Sequence, residues 1–173
     1  MKTLKLIALL FAITLSSCSS VRVNADYDSK VSFSNFKTYA YLKSGIDKAE
    51  ISDLDKKRIL NAIDAVLPSK GITKSENPDL LISIFTKEKE RVDVYQNYGF
   101  GWGWNPYWGT GYSNVTTTPV GTLFIDIIDA KTKELIWQGE GSGYLTKNTA
   151  KKEARIKEFV SKILEQYPPN TLK

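Results

Sequence analysis

The chain has 173 residues, 42% of them hydrophobic, with 24 basic and 19 acidic side chains and a formal net charge of +5. That length suits one domain with a real core, and so mild a charge excess argues against nucleic acid as a partner. Histidine is absent and cysteine occurs once, which excludes Ser-His and Cys-His catalysis, an internal disulfide and most zinc sites.

Lys2 and Lys5 precede an unbroken apolar run from Leu6 to Leu15. At about ten residues it is half the roughly 20 that a spanning helix needs, so it reads as a secretion signal. It closes on Leu15-Ser16-Ser17-Cys18, which resembles a bacterial lipobox: an aliphatic residue, two small ones, then the cysteine that is acylated and becomes the new N-terminus. The expected division is a signal peptide over 1–17, lipidated Cys18 with a tether over 18–20, and one domain over 21–173. Ser19, where Asp would favour inner-membrane retention, and the lack of an acidic run after Cys18 point to the outer membrane and its periplasmic face. Residues 1–17 hold two lysines and no acid, so the mature chain would carry 22 basic against 19 acidic side chains.

Val21 to Tyr27 alternates apolar and polar residues and predicts a strand; Lys37 to Leu42 predicts a second. Ser52-Asp53-Leu54-Asp55 has the form of a helix start, with a serine cap and acids where the helix dipole favours them. Leu54, Ile59, Ile63, Val66 and Leu67 keep helical spacing, and Pro68 with Gly71 ends that helix. Leu80 to Phe85 is apolar on both faces, as a central strand would be, and runs on into the charged TKEKER. Thr122–Asp129 and Glu134–Gly139, joined by a turn at 130–133, predict a hairpin. GEGSGYLTKN then reads as a loop before a helix from Thr149 to about Gln166. Ile156, Phe159, Val160, Ile163, Leu164 and Tyr167 form its apolar stripe, and Pro168-Pro169 stops it.

The order β-β-α-β-β-β-α implies an α+β domain: a mixed, mostly antiparallel sheet of about five strands with two helices packed on it. If the first helix is an ordinary crossover, the strand after it runs toward the end at which the first strand begins. The segment that follows, about 95–118, would then leave the domain at the anchored end.

The motifs resemble, in order and spacing, the bacterial lipoproteins grouped as domain-of-unknown-function family 4136. They are Asp26-Tyr27-Asp28, then Phe33, Phe36, Lys37, Thr38, Tyr39 and Ala40, and Asn77-Pro78-Asp79-Leu80-Leu81. Gly121-Thr122-Leu123, Asp129 and Leu135-Ile136-Trp137-Gln138-Gly139 complete the set. The resemblance covers essentially all of the mature chain. It implies a periplasmic or outer-membrane lipoprotein with a Gly/Tyr/Trp-rich insertion in the middle loop. It transfers no catalytic residue, because the family defines none.

Nothing in the residues assembles a reaction centre, a metal site or a cofactor loop, and the expectation is a non-enzymatic protein without cofactors. Asp126 and Asp129, three apart on a strand, face opposite ways. Asp26 and Asp28 flank a turn, where aspartate ordinarily caps backbone N–H groups. Gly99, Gly101 and Gly103 lack the helix and lysine of a phosphate loop. Lys147, Lys151 and Arg155, four apart, read as a solvated helix face.

The distinctive stretch is YGFGWGWNPYWGTGY, Tyr98 to Tyr112. Extended, it places Phe100, Trp102 and Trp104 on one face, with Tyr107 and Trp108 widening the surface. At 150–250 Å² each, burying the first three is worth at most ~11–19 kcal/mol, too much apolar area to leave idle in water. Three uses compete: covering the domain itself, sitting in the headgroup layer, or stacking on a peptidoglycan sugar or an envelope protein. The expected function is a binding or structural role for this loop against membrane, peptidoglycan or protein. The alternative is a small-ligand carrier or enzyme with a site between sheet and helices.

Overall fold

The computed structural model describes residues 21–95, 114–144, 146 and 148–169. Its elements are β1 (Arg22–Tyr27), β2 (Thr38–Tyr41), α1 (Lys43–Asp47), α2 (Asp53–Val66), β3 (Thr73–Lys74), β4 (Leu80–Tyr95), β5 (Asn114–Asp129), β6 (Leu135–Tyr144) and α3 (Thr149–Leu164). Short 3₁₀ turns at Phe33–Asn35 and Leu67–Lys70 accompany them. The strands form one sheet in the order β1-β6-β5-β4-β2-β3. Pairing is antiparallel from β1 through β4 and parallel from β4 to β2 and from β2 to β3. The parallel step needs a crossover, which α1 and α2 supply.

The α+β class expected from the pattern is therefore the observed one, with six strands rather than about five. The additional strand, β3, is two residues long, and α1 is five; neither is long enough to show a period in the sequence. Leu80 to Phe85 is a central strand as expected, but β4 continues to Tyr95, and β5 starts at Asn114 rather than Thr122. The flanks of the expected 95–118 loop, Tyr95 and 114–118, are thus paired strand. GEGSGY is also strand, not loop: Gly139 to Tyr144 complete β6.

The glycines there have a packing reason. A Cβ on Gly139 would lie 2.3 Å from the Trp137 ring and 2.4 Å from Ile163, and one on Gly141 would lie 2.7 Å from Ile163. Bare backbone at both positions lets α3 sit directly on β6.

Both longer helices pack on one face of the sheet. Leu80, Ile82 and Ile84 of β4 alternate with Leu123, Ile125 and Ile127 of β5 on that face, and all are buried. They meet Ile59 and Ile63 of α2 and Phe159, Val160 and Ile163 of α3 in one cluster. Leu54, expected on the buried side of α2, is 66% exposed, because in that first turn Asp55 and Lys56 face inward instead. Both starts are capped, that of α2 as its sequence suggests. Ser52 Oγ accepts from the Asp55 amide at 3.2 Å, and Asn148 Oδ1 from those of Ala150 and Lys151. Gly71, at φ 77°, closes the turn after α2 by donating to the Leu67 and Pro68 carbonyls.

Direction along the sheet follows from the register. Arg22, Ser142, Thr122 and Lys87 lie side by side across β1, β6, β5 and β4. The start of β1, the end of β6 and the β4–β5 hairpin therefore share one end of the sheet, as the crossover argument requires. Both α2 and α3 begin at that end and run away from it. On α2, Tyr41 and then Tyr39 contact Leu60 and then Asp64; on α3, Gly141, Gly139 and Trp137 meet Phe159, Ile163 and Tyr167 in turn.

Candidate functional site

Cys18 and the aromatic residues Phe100, Trp102, Trp104, Tyr107 and Trp108 lie outside the described residues, as does Lys147. What is described is the frame that presents the loop. Beyond the last three-strand row, Lys89–Val120–Tyr144, β4 and β5 continue as a ribbon through six further pairs, Glu90↔Pro119 to Tyr95↔Asn114. At ~3.4 Å per residue this ribbon reaches about 20 Å past the sheet. It leaves from the end at which β1 starts.

At the base of the ribbon a cleft of about 300 Å³ opens between the helices and the sheet. Ile51, Ile59, Leu123, Ile156 and Phe159 supply apolar walls, and Asp55, Glu88, Lys152 and Arg155 supply charge. The two helix starts are tied together there. Lys152 Nζ lies 2.6 Å from Asp55 Oδ2, and Arg58 Nη1 lies 2.7 Å from Asp55 Oδ1. Burial alone would raise the Asp55 carboxyl, but hydrogen bonds from Lys152, Arg58 and the Ser52 cap outweigh it and hold it below the ordinary carboxylate range.

Arg155 is the residue the sequence reading misplaced. Lys151 is exposed as expected, but the Arg155 side chain is only 16% exposed. Its guanidinium lies 4.8 Å from the Phe159 ring centre, Nη1 is 2.7 Å from Glu158 Oε2, and Nε donates to the Tyr144 carbonyl at 3.2 Å. Its Nη2 is buried without a hydrogen-bond partner among the described residues. The four-residue spacing from Arg155 to Phe159 was the available signal: it puts the cation over a ring on the packed side of the helix.

The opposite face of the sheet holds a second feature. Phe85 and Phe124 lie 5.5 Å apart, and Lys87 Nζ sits 5.4 and 5.5 Å from their ring centres. Next to them Asp126 pairs with Gln138 Nε2 at 2.7 Å, and burial raises its carboxyl although that hydrogen bond acts the other way.

The remaining carboxylates that the motifs single out serve the backbone. Asp26 Oδ1 accepts from the Tyr27 amide, Asp28 Oδ1 from that of Lys30, and Asp129 Oδ1 from those of Lys131 and Thr132. Asp79 Oδ2 receives the Lys37 and Thr38 amides and the Thr38 hydroxyl, each at 2.9 Å. Two motifs 41 residues apart are thereby one structural joint. Among the described residues no group of three or more Cys, Asp or Glu side chains is placed to hold a metal ion, and no helix is long and apolar enough to cross a membrane.

A family model described as "Domain of unknown function (DUF4136)" matches residues 23–169. No curated protein matches the chain. Among solved structures, a PDZ domain protein from Parabacteroides distasonis ATCC 8503 is similar at 19% identity and a TM-score of 0.55. The likeness covers 95% of this chain and 40% of that one, so this chain spans about two-fifths of its length. PelC dodecamers from Paraburkholderia phytofirmans are similar in two crystal forms, at 12% and 13% identity with TM-scores of 0.49 and 0.43. Each covers 83% of this chain and 94% of the PelC chain. The first of these likenesses speaks for the fold alone.

Proposed function

This chain belongs to the DUF4136 family, and we propose that it is a lipid-anchored, non-enzymatic module of the bacterial envelope that lays its β4–β5 hairpin against the leaflet holding it. The anchor is Cys18, and the membrane is the outer one, approached from the periplasm. The observation that carries this reading is the shared end: β1 begins where the β4–β5 ribbon departs.

The geometry limits how the hairpin and membrane can meet. Three residue steps separate Cys18 from Val21, a tether of ~10 Å at most. The ribbon extends about 20 Å beyond the sheet, so a ribbon held perpendicular to the bilayer would run into it. Its sequence opposes that, since Arg91 and Asp93 would be driven toward a hydrocarbon core whose centre costs ~2.5–3.5 kcal/mol for each such charge, by the insertion scale. The ribbon accordingly lies along the surface, and Phe100, Trp102 and Trp104 reach the headgroup layer, where an aromatic ring and its polar edge are both satisfied.

The test uses the full, lipidated chain in phosphatidylcholine vesicles carrying brominated acyl chains, which quench nearby tryptophan. Trp137 is fully buried in the domain and serves as the unquenched reference. Quenching that disappears in the Phe100→Ser, Trp102→Ser, Trp104→Ser, Trp108→Ser variant supports the reading. Wild-type fluorescence indifferent to bromination overturns it, and crosslinking from position 102 in cells then tells peptidoglycan from a protein partner. Mass analysis of the processed N-terminus tests the anchor separately: an unmodified Cys18 thiol would remove it.

A further inference from the structure

We infer that the domain meets its leaflet through the sheet face that α2 and α3 leave open, continued along the ribbon, and that this face binds anionic lipid headgroups. This rests on the anchored placement proposed above and adds which face is applied and to which lipid. In Lys87-Glu88-Lys89-Glu90-Arg91 the charges alternate residue by residue. In a strand that period puts every cation on one face and every acid on the other. Register fixes which face is which. Lys87 shares a row with Arg22, Ser142 and Thr122, and its ammonium lies over the Phe85 and Phe124 rings, on the side away from the two longer helices.

From that row outward, positions 22, 87, 89 and 91 give the open face four cations, against one acid at position 93. The facing strand adds no charge between Asn114 and Thr122. The other face of the ribbon has Glu88 and Glu90 and no cation on either strand. Inward from the same row the sign reverses: Glu140 lies one row back, beside Phe124, and Asp26 and Asp126 two rows back. Cations are thus gathered at the end where β1 begins, and acids are kept from it. Tyr144, in the row of Lys89, and Phe85 are both exposed on this face. Rings set among cations suit a headgroup layer, which satisfies ring, polar edge and ammonium together; a soluble polyanion offers nothing to the rings. Lys48 and Glu50 border the face with one charge of each sign. On the helix side, Lys152 and Arg155 are already paired with Asp55 and Glu158. Each cation held near an anionic leaflet strengthens association about fivefold.

Thr117 and Thr118 are adjacent on β5 and so belong to opposite faces, Thr118 in the row of Arg91. With Cys18 acylated the chain has no other thiol, so Thr118→Cys or Thr117→Cys can carry an environment-sensitive dye at one known place. The full, lipidated chain is placed in phosphatidylcholine vesicles with or without one-third phosphatidylglycerol. A dye at 118 should brighten at least twofold more with phosphatidylglycerol than without, and a dye at 117 should not. Salt at about 1 M, which cuts the screening length to ~3 Å, should abolish the difference. The Lys87→Gln, Lys89→Gln, Arg91→Gln variant should lose it and Glu88→Gln, Glu90→Gln should keep it. A dye at 117 that responds as much as one at 118, or a dye at 118 indifferent to phosphatidylglycerol, overturns the inference. Both comparisons leave every charge in place and are independent of how the charge variants fold. Soluble polyphosphate that brightens the 118 dye as readily as vesicles do would overturn it too. If brominated chains still quench the hairpin tryptophans while the 118 dye stays indifferent, this inference alone falls; loss of both removes the anchored placement as well.

Discussion

Lys152 Nζ and Asp55 Oδ2 lie 2.6 Å apart although 97 residues separate them in the chain. The bond joins the first turns of α2 and α3. The Asp55 carboxylate also receives Arg58, and the Asp55 amide donates to the Ser52 cap, so Asp55 is the centre of the joint and Lys152 one spoke. Lys152→Met should cost about 0.5–1 kcal/mol, since the lysine is a third exposed and solvent screens the pair. Asp55→Ala, which strands two cations, should cost about 2 kcal/mol. A double-mutant cycle by urea unfolding should give a coupling near the smaller figure; additive losses would show that the helices are held by packing alone.

Acid stability should be governed by Asp64. The Tyr39 and Tyr41 hydroxyls each lie 2.6 Å from its Oδ1, and Lys74 Nζ lies 3.0 Å from Oδ2. Burial would raise this carboxyl, yet those three donors together keep it below the ordinary range. Conversely, burial and then the Asp64 hydrogen bonds push both tyrosines well above theirs. With its folded pKa below the unfolded value of ~3.9, Asp64 contributes fully above about pH 5, and the contribution disappears as pH falls through the folded pKa. Asp64→Asn should lower stability at pH 7 and flatten the acid limb of a thermal-midpoint profile.

Asp126 carries the opposite sign. Its carboxyl is raised by burial, so ionising it disfavours the fold above its folded pKa and costs nothing once it is protonated. Asp126→Asn should therefore raise the midpoint at pH 7 by about a degree or two and leave it unchanged at pH 3. An equal shift at both values would mean that the hydrogen bond to Gln138, rather than charge, sets the effect.

Gly139→Ala should be among the most damaging small substitutions in the domain, at about 3 kcal/mol by overpacking. The added methyl would meet both the Trp137 ring and Ile163. Ile163→Ala leaves room beside it, so the double variant should be more stable than the sum of the single losses predicts. Strict additivity in chemical denaturation would argue that the helix simply moves away.

Thr38→Val and Asp79→Ala should each cost about 1–2 kcal/mol, because each strips the joint at the start of β2 and β4. The pair should cost little more than one alone. Losses that add would show the two residues to be independent.

The apolar run Leu80–Phe85 and the helices with a clear period, Ile59 to Leu67 and Ile156 to Tyr167, were legible because apolar patterning is a local property of the chain. The 3₁₀ turns, α1 and the two-residue β3 were not, being too short to express a period. Gly139 and Gly141 misled for a different reason. A glycine marks a loop when its neighbours are considered alone, and it marks a close helix contact only once α3 is in place above it. Arg155 shows the same limit: its spacing from Lys151 describes a wet surface, and only packing on Phe159 reveals that it is enclosed.

What the amino-acid order determined unaided is the class: a β-β-α-β-β-β-α pattern that folds as α+β, in a chain without histidine. Tertiary structure alone decided that Asp55 meets Lys152, that Asp79 meets Thr38, and that Arg155 packs on Phe159 beside an apolar slot. Periodicity is written within a few turns of chain, whereas the two pairs and the slot join residues tens of positions apart, and only the order and direction of the strands bring them within reach.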